Sequence, residues 1–270
     1  MNYRHGYHAG NFADVIKHIA LAAILLHLRK KDAGFSVLDS HAGRGAYDLA
    51  GGEAAKTGEA QNGIARLLSL SGDMPEALST YLSLVQGGDG AYPGSPLIAA
   101  KLLRPQDRLT AIEKHPEEFA VLKDVLAPYR NAVAEQADGY ARVLKLLPPP
   151  SRRGMVLIDP PFEAADEFHS LAQSVIAMVR KFATGIYLVW FPTKSQAEAD
   201  AFLGEVLAGG VAKAMAITIR VPAPAGKLAQ AGLLVINPPY GFDGVMREMA
   251  RLVAPRLEAE IATRWIAGSE

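Results

Sequence analysis

From Asn11 to about Lys31, apolar residues Phe12, Val15, Ile16, Ile19, Ala20, Ala23 and Leu26 recur at helical spacing. Gly34 ends that predicted helix. Seven short apolar runs then read as strands: 35–39, Leu109–Glu113, Ala132–Glu135, Gly154–Asp159, Gly185–Phe191, Ala212–Val221 and Leu233–Asn237. Helical patterns fall between most of them, at Pro116–Leu126, Tyr140–Leu147, Asp166–Phe182 and Ala197–Leu207. Strands alternating with helices predict an α/β fold built on a mostly parallel, doubly wound sheet. Only a Pro/Ala/Gly-rich linker (Pro222–Gly226) and a short polar stretch part the last two runs, so they are expected to pair antiparallel at the sheet end. The expectation is a seven-stranded sheet with a terminal antiparallel strand. No repeat or low-complexity tract divides residues 1–270, which read as a single domain.

One spacing adds a detail. In a nucleotide-binding α/β unit the acid that holds a ribose lies about 20 residues beyond the Gly-rich turn. Here Glu113, at the end of the second strand, lies 74 residues after Asp39, at the end of the first. Gly58–Leu70 and Pro75–Val85 both have helical periodicity. A small helical insertion is therefore expected over residues 52–95, ending near Tyr92-Pro93-Gly94-Ser95-Pro96.

Composition narrows the classes. With 50% hydrophobic and 21% charged residues, the chain is neither disordered nor fibrous. The absence of cysteine excludes a disulfide framework, a thiolate zinc site and a cysteine nucleophile. The longest apolar run, Ile19 to Leu26, is far short of the roughly 20 residues that span a bilayer, and no export signal is evident. A cytoplasmic protein without a membrane partner, and a monomer, is the expectation. The net charge of zero argues against coating nucleic acid through bulk charge. Residues 1–31 nevertheless carry five bases against the single acid Asp14, and four of the seven histidines. A charge cluster of this kind suits a solvated amphipathic helix. It also suits a basic arm, since Tyr3, Arg4, His5, Tyr7 and His8 interleave rings with positive charge. The histidines have no acidic or cysteine partner at ligand spacing, so no metal site is expected.

After the first strand comes Asp39-Ser40-His41-Ala42-Gly43-Arg44-Gly45. Two glycines allow a sharp turn and a close backbone approach to a ligand. Asp48 stands where a dinucleotide fingerprint has its third glycine, and a carboxylate there would repel a pyrophosphate. The turn better suits a cationic, phosphate-free ligand such as S-adenosylmethionine. Glu113 is placed to accept ribose hydroxyls, and Asp138-Gly139 to meet an adenine edge.

The strongest local signal is Met155-Val156-Leu157-Ile158-Asp159-Pro160-Pro161-Phe162. Two prolines stiffen the turn and remove two N–H donors. The Asp159 carboxylate and the Pro160 carbonyl can both accept hydrogen bonds from an amine, while Phe162 offers a stacking face. Such placement serves an in-line methyl transfer, whose rate depends on orientation. Leu234-Val235-Ile236-Asn237-Pro238-Pro239-Tyr240 has an equally good local form. Asn237 ends the last strand, in the expected antiparallel pair, and is read as structural.

With these residues in view, the chain resembles the bacterial 23S rRNA N6-adenine methyltransferases of the RlmJ type. The resemblance runs nearly end to end, through Tyr3-Arg4-His5, His8-Ala9-Gly10-Asn11, Lys17-His18, His41-Ala42-Gly43, Tyr92-Pro93-Gly94-Ser95-Pro96, Ala137-Asp138-Gly139, Ser151-Arg152-Arg153-Gly154 and Ile158-Asp159-Pro160-Pro161. It implies a Rossmann-like fold with a small helical subdomain and S-adenosylmethionine as cofactor. His18, His41, Ser95, Glu113, Asp138, Gly139 and Asp159 would contact that cofactor. Asp159 would be the catalytic acceptor, and Tyr3, Arg4, Lys17, Pro160 and Phe162 would meet an adenine of large-subunit rRNA. Arg152 and Arg153 would extend the RNA track. Phe162 stands where relatives often have Tyr, which leaves stacking intact and puts any hydroxyl role in doubt. DNA adenine-N6 and protein glutamine-N5 methyltransferases share a similar Pro-Pro turn and are the nearest alternative. A nicotinamide dehydrogenase and a non-catalytic RNA-binding module fit the motifs less well.

Overall fold

The computed structural model describes residues 8–49, 58–88, 90–164, 166–224 and 226–269. Helix α1 (Phe12–Arg29) leads into β1 (Ser36–Asp39), followed by a two-stranded ribbon of β2 (Ala46–Asp48) and β3 (Ala91–Pro93). Helix α2 (Glu76–Gln86) lies between the ribbon strands, and α3 (Ser95–Leu102) follows them. Then come β4 (Arg108–Glu113), α4 (Pro116–Leu126), β5 (Ala132–Gln136), α5 (Gly139–Leu146), β6 (Gly154–Ile158) and α6 (Glu167–Lys181). The remainder is β7 (Ile186–Pro192), α7 (Gln196–Ala208), β8 (Ala214–Arg220), β9 (Gln230–Ile236), α8 (Phe242–Leu257) and β10 (Glu260–Ala267).

The main sheet has eight strands in the order β10-β8-β9-β7-β6-β1-β4-β5. Strands β7, β6, β1, β4 and β5 are parallel, whereas β9 runs antiparallel to both β7 and β8. The predicted seven strands are thus one short. Strand β10 pairs antiparallel with β8 and covers the edge, and its inward positions alternate with outward ones too weakly to stand out as a run. The antiparallel pair is real, but β9, not β8, lies beside β7. Side chains alternate between two cores. Val37, Met155 and Leu157 face α1, α2 and α8, while Leu38, Val156 and Ile158 face α5, α6 and α7.

Two expectations fail here for physical reasons. Helix α1 is not a solvated amphipathic helix, because it is apolar nearly all round and packs inside one layer, with Asp14, Lys17 and His18 buried along it. Residues 58–70 form one 3-10 turn, Ile64–Leu67, rather than a helix. The Ile64 N–H donates to the Gly10 carbonyl (2.9 Å), so this backbone is spent on tethering the start of α1. Gly63 permits that approach, since a Cβ would collide with the Gly10 carbonyl. Residues 52–57 and 89 of the expected insertion lie outside the described residues.

Candidate active site

All six strands that point the same way present their carboxyl ends to one side, where ligands of open α/β sheets bind. Asn11 starts α1 there. Its side chain accepts from the Ala13 and Asp14 N–H groups at 2.9 Å each, as an N-cap should. Three and six residues on, Asp14 and Lys17 share one helix face. Lys17 donates to Asp14 at 2.8 Å and makes a second short hydrogen bond to Asp159, at the end of β6. Burial opposes the charge on Lys17, but the two carboxylates outweigh it and raise the pKa, so the ammonium stays protonated.

The ribbon β2–β3 brings Ser95 to this point. The Gly94 N–H donates to the Gly45 carbonyl (2.8 Å), and Ser95 donates its hydroxyl to Asp39 at 2.7 Å. Asp39 therefore lies beneath the crevice instead of lining it. Its other carboxylate oxygen is buried with no hydrogen-bond partner among the described residues. Burial pushes the Asp39 carboxyl up to about 7, with the Asp159 charge adding to the rise. The turn after β1 leads into β2 and not into a helix, which removes the helix N-terminus that a dinucleotide site needs.

Next to β1, Glu113 accepts from the N–H groups of Gly43 (2.9 Å) and His115 (2.7 Å). Its burial still raises its pKa. Asp138 caps α5 through the Ala141 N–H (3.2 Å) and pairs with Lys114 (3.1 Å). Burial works against the charged form, but these two partners hold the carboxyl below its ordinary range. Gly139 is required because a Cβ there would strike the Ser40 carbonyl. His41 rests edge-on against Tyr140, with ring centroids 4.9 Å apart. Burial lowers its pKa to about 4, so the ring is neutral near pH 7.

These groups line one crevice together with Lys17, His18, Ser95 and Asp159. Among its described lining residues the carboxylates Glu113, Glu118, Asp138, Asp159 and Glu167 face only Lys17 and Lys114 as permanent cations. Such a lining repels a pyrophosphate and fits a cationic ligand with hydroxyl and amine donors. A second cavity of about 360 Å³ adjoins it and shares Lys17, Asp159 and Pro161. Phe162 and Trp190 wall the second cavity, edge to face with centroids 5.7 Å apart. Phe168 backs Phe162 at 4.9 Å. Phe162 itself has φ of 47°, in the left-handed region that non-glycine residues rarely adopt.

His18, His41, Ser95, Glu113, Asp138, Gly139 and Asp159 thus meet in the first cavity, and Lys17 and Phe162 in the second. Pro160 is buried, and its neighbour Pro161 lines both cavities. Tyr3 and Arg4 lie outside the described residues. Arg152 and Arg153 lie at the other end of β6. There Arg153 clamps α1, donating to the Leu28 and Ala33 carbonyls and sitting over the Phe35 ring. The basic excess of residues 1–31 is split in the same way. Arg29 and Lys30 are exposed about 18 Å along the helix from Lys17, so these two of the five bases lie away from the crevice. Sequence reasoning missed Trp190, which hides in the apolar run of β7, and Asp14, whose i,i+3 spacing to Lys17 was the available signal.

The comparisons agree over nearly the whole chain. The family described as "Ribosomal RNA large subunit methyltransferase D, RlmJ" matches residues 32–267. "Ribosomal RNA large subunit methyltransferase J" of Haemophilus influenzae is 36% identical over 98% of this chain and 97% of its own length. The protein of the same name from Escherichia coli is 37% identical over 92% and 91%. A crystal structure of a Legionella pneumophila protein superposes with a TM-score of 0.89, at 32% identity, over 97% of this chain and 99% of that one. Coverage and identity of this order establish that the chain belongs to the RlmJ family of ribosomal RNA large-subunit methyltransferases.

Proposed function

We propose that this protein is a methyltransferase that places a methyl group on N6 of one adenine in 23S rRNA. One observation carries the reading. A cation-seeking crevice and an aromatic-walled cavity meet at Asp159, and a carboxylate held between two cavities can serve reactants in both. The family and the named relatives support rRNA as the substrate class and S-adenosylmethionine as the cofactor.

The residues present fit that cofactor. Glu113 has acceptor capacity left for ribose hydroxyls, Asp138 can take an adenine amine beside Gly139, and the buried, unpartnered oxygen of Asp39 lies behind Ser95. His18 and His41 complete the walls. When bound, S-adenosylmethionine supplies a methyl group on a cationic sulfur that an amine nitrogen can displace. The protein's part is positioning. Phe162 and Trp190 grip the target base, which has left its stack at a cost of a few kcal/mol. Asp159 and the Pro160 carbonyl accept hydrogen bonds from the N6 amine and aim its lone pair along the line between the cavities. Lys17 remains a cation and cannot take the departing proton. It fixes the Asp159 carboxylate, through which the N6 proton passes toward solvent.

Both cavities are built from one chain's residues, so a monomer suffices. We read residues 1–270 as one methyltransferase domain with an insertion over 52–95, working in the cytoplasm. Tyr3 and Arg4 are assigned to RNA contact. The test is transfer of labelled methyl to 23S rRNA lacking the modification, with DNA and protein acceptors in competition. Label in N6-methyladenine of the rRNA is expected; transfer to DNA or to glutamine alone would replace this reading.

A further inference from the structure

Beyond the target-base cavity lies a third concavity, of about 280 Å³, that no step of the reaction uses. It exists because β9 is reversed. The reversal turns the β8–β9 connection back at the catalytic end of the sheet, beside the last turn of α8. Asn11 and Leu228 line both this concavity and the target-base cavity, so the two adjoin at these residues. Its floor is apolar, with Phe12, Val221, Pro222 and Leu257.

Its charges follow a pattern. Glu59 is satisfied by His8 (3.0 Å) and Asn11 (3.1 Å), and Glu258 is paired with Arg66 at 3.0 Å. Lys194, on the rim of the target-base cavity, and Lys227, on the rim of this one, are exposed. Neither lysine has an ion pair or side-chain hydrogen bond among the described residues. Glu163 also lines the target-base cavity, on the Phe162 side. Glu59 and Glu258 have hydrogen-bonded partners, and although the Lys227 charge also reaches Glu59, exposed lysines on the rims of both cavities suit a phosphate-bearing strand. An apolar hollow next to the target pocket suits an unstacked base.

We propose that this concavity is a subsite for the nucleobase next to the target adenine in the same RNA strand, with Lys194 and Lys227 at the flanking phosphates. Leu228 then stands between two adjacent splayed bases, and the amide N–H groups of Asn62, which have no hydrogen-bond partner among the described residues, give the hollow a means of choosing among bases. The proposal rests on Asp159 marking the adenine pocket.

The experiment uses the full chain and an oligoribonucleotide containing the target adenine. Both lysines are at the surface, so Lys194→Ala/Lys227→Ala keeps the fold. Its KM for RNA should rise about tenfold or more, with kcat within about twofold and cofactor affinity unchanged. The slope of log KM against log salt should shrink by about 0.7 for each lost contact to a single strand. An abasic site on one side of the adenine should raise the wild-type KM about tenfold, and the opposite side should tolerate it. Unchanged KM in the double variant, or indifference to an abasic site on both sides, overturns the subsite while wild-type methylation stands. A wild-type enzyme that methylates no RNA overturns the function itself, and the subsite with it.

Discussion

The chain contains the same local design twice, and we propose a catalytic part for only one copy. Asp159-Pro160-Pro161-Phe162 and Asn237-Pro238-Pro239-Tyr240 both follow a buried apolar strand, and both include a residue with φ near +50°, Phe162 in one and Asn237 in the other. The first opens between two cavities, with its carboxylate tied to Lys17. The second lies at the opposite end of the sheet, because β9 runs against β7. There the Asn237 side-chain amide donates to the carbonyls of Ala183 (2.8 Å) and Gly185 (2.7 Å), and its backbone N–H donates to the Lys213 carbonyl (3.0 Å). Tyr240 is 82% exposed, whereas Phe162 is packed against two rings. A motif of this kind is a rigid bracket. Strand direction decides whether the bracket borders the cavities or braces the far end of the sheet.

Substitutions should separate the two copies. Asp159→Ala removes the acceptor that both cavities share, and kcat should fall about 10²- to 10⁴-fold with RNA binding retained. Gel-shift and single-turnover assays would show the split. Phe162→Ala should lower kcat/KM about tenfold through lost stacking, whereas Phe162→Tyr, which keeps the stacking face, should leave kcat/KM within about twofold of wild type. Asn237→Ala should cost about 1–3 kcal/mol in denaturant unfolding, since two carbonyls lose their donor, with kcat of the folded enzyme unchanged. A large loss of kcat in that variant would give the second bracket a catalytic part.

A pH experiment sharpens the catalytic end. Asp39 binds its proton more tightly folded, at about 7, than unfolded, near 3.8. Between those values the native state holds more protons, so Asp39 lowers stability as pH rises through the window, and adds nothing further above it. The melting temperature of Asp39→Asn relative to wild type should therefore climb from pH 4 to 7 and then level. A flat difference would mean that Asp39 ionises normally. The smallest effect belongs to Tyr240→Ala, within about 0.5 kcal/mol and without change in turnover, because its ring is in water.

Much of the site is legible in the chain because its residues fall at strand ends. Asp39, Glu113 and Asp159 each close an apolar run and Asp138 follows β5, and parallel strands in register carry these ends to one side. What Asp39 does there is not legible. Its neighbour Ser95 comes from 56 residues away, and only the pairing of β2 with β3 puts that hydroxyl against the carboxylate. Trp190 was invisible for a related reason. An indole within a buried run looks like core until the strand's end is known to border a cavity.

The sequence by itself determined the alternation of strands and helices, the acids at the carboxyl ends and the stiff Asp159 turn. These depend on periodicity and on backbone chemistry within a few residues. Tertiary structure alone decided that α1 is a core helix carrying Lys17 into the site, that β9 inserts between β7 and β8, and that Arg153 braces the far end. Those outcomes turn on which distant apolar faces bury each other and on which buried charge finds a partner, and no local pattern encodes either.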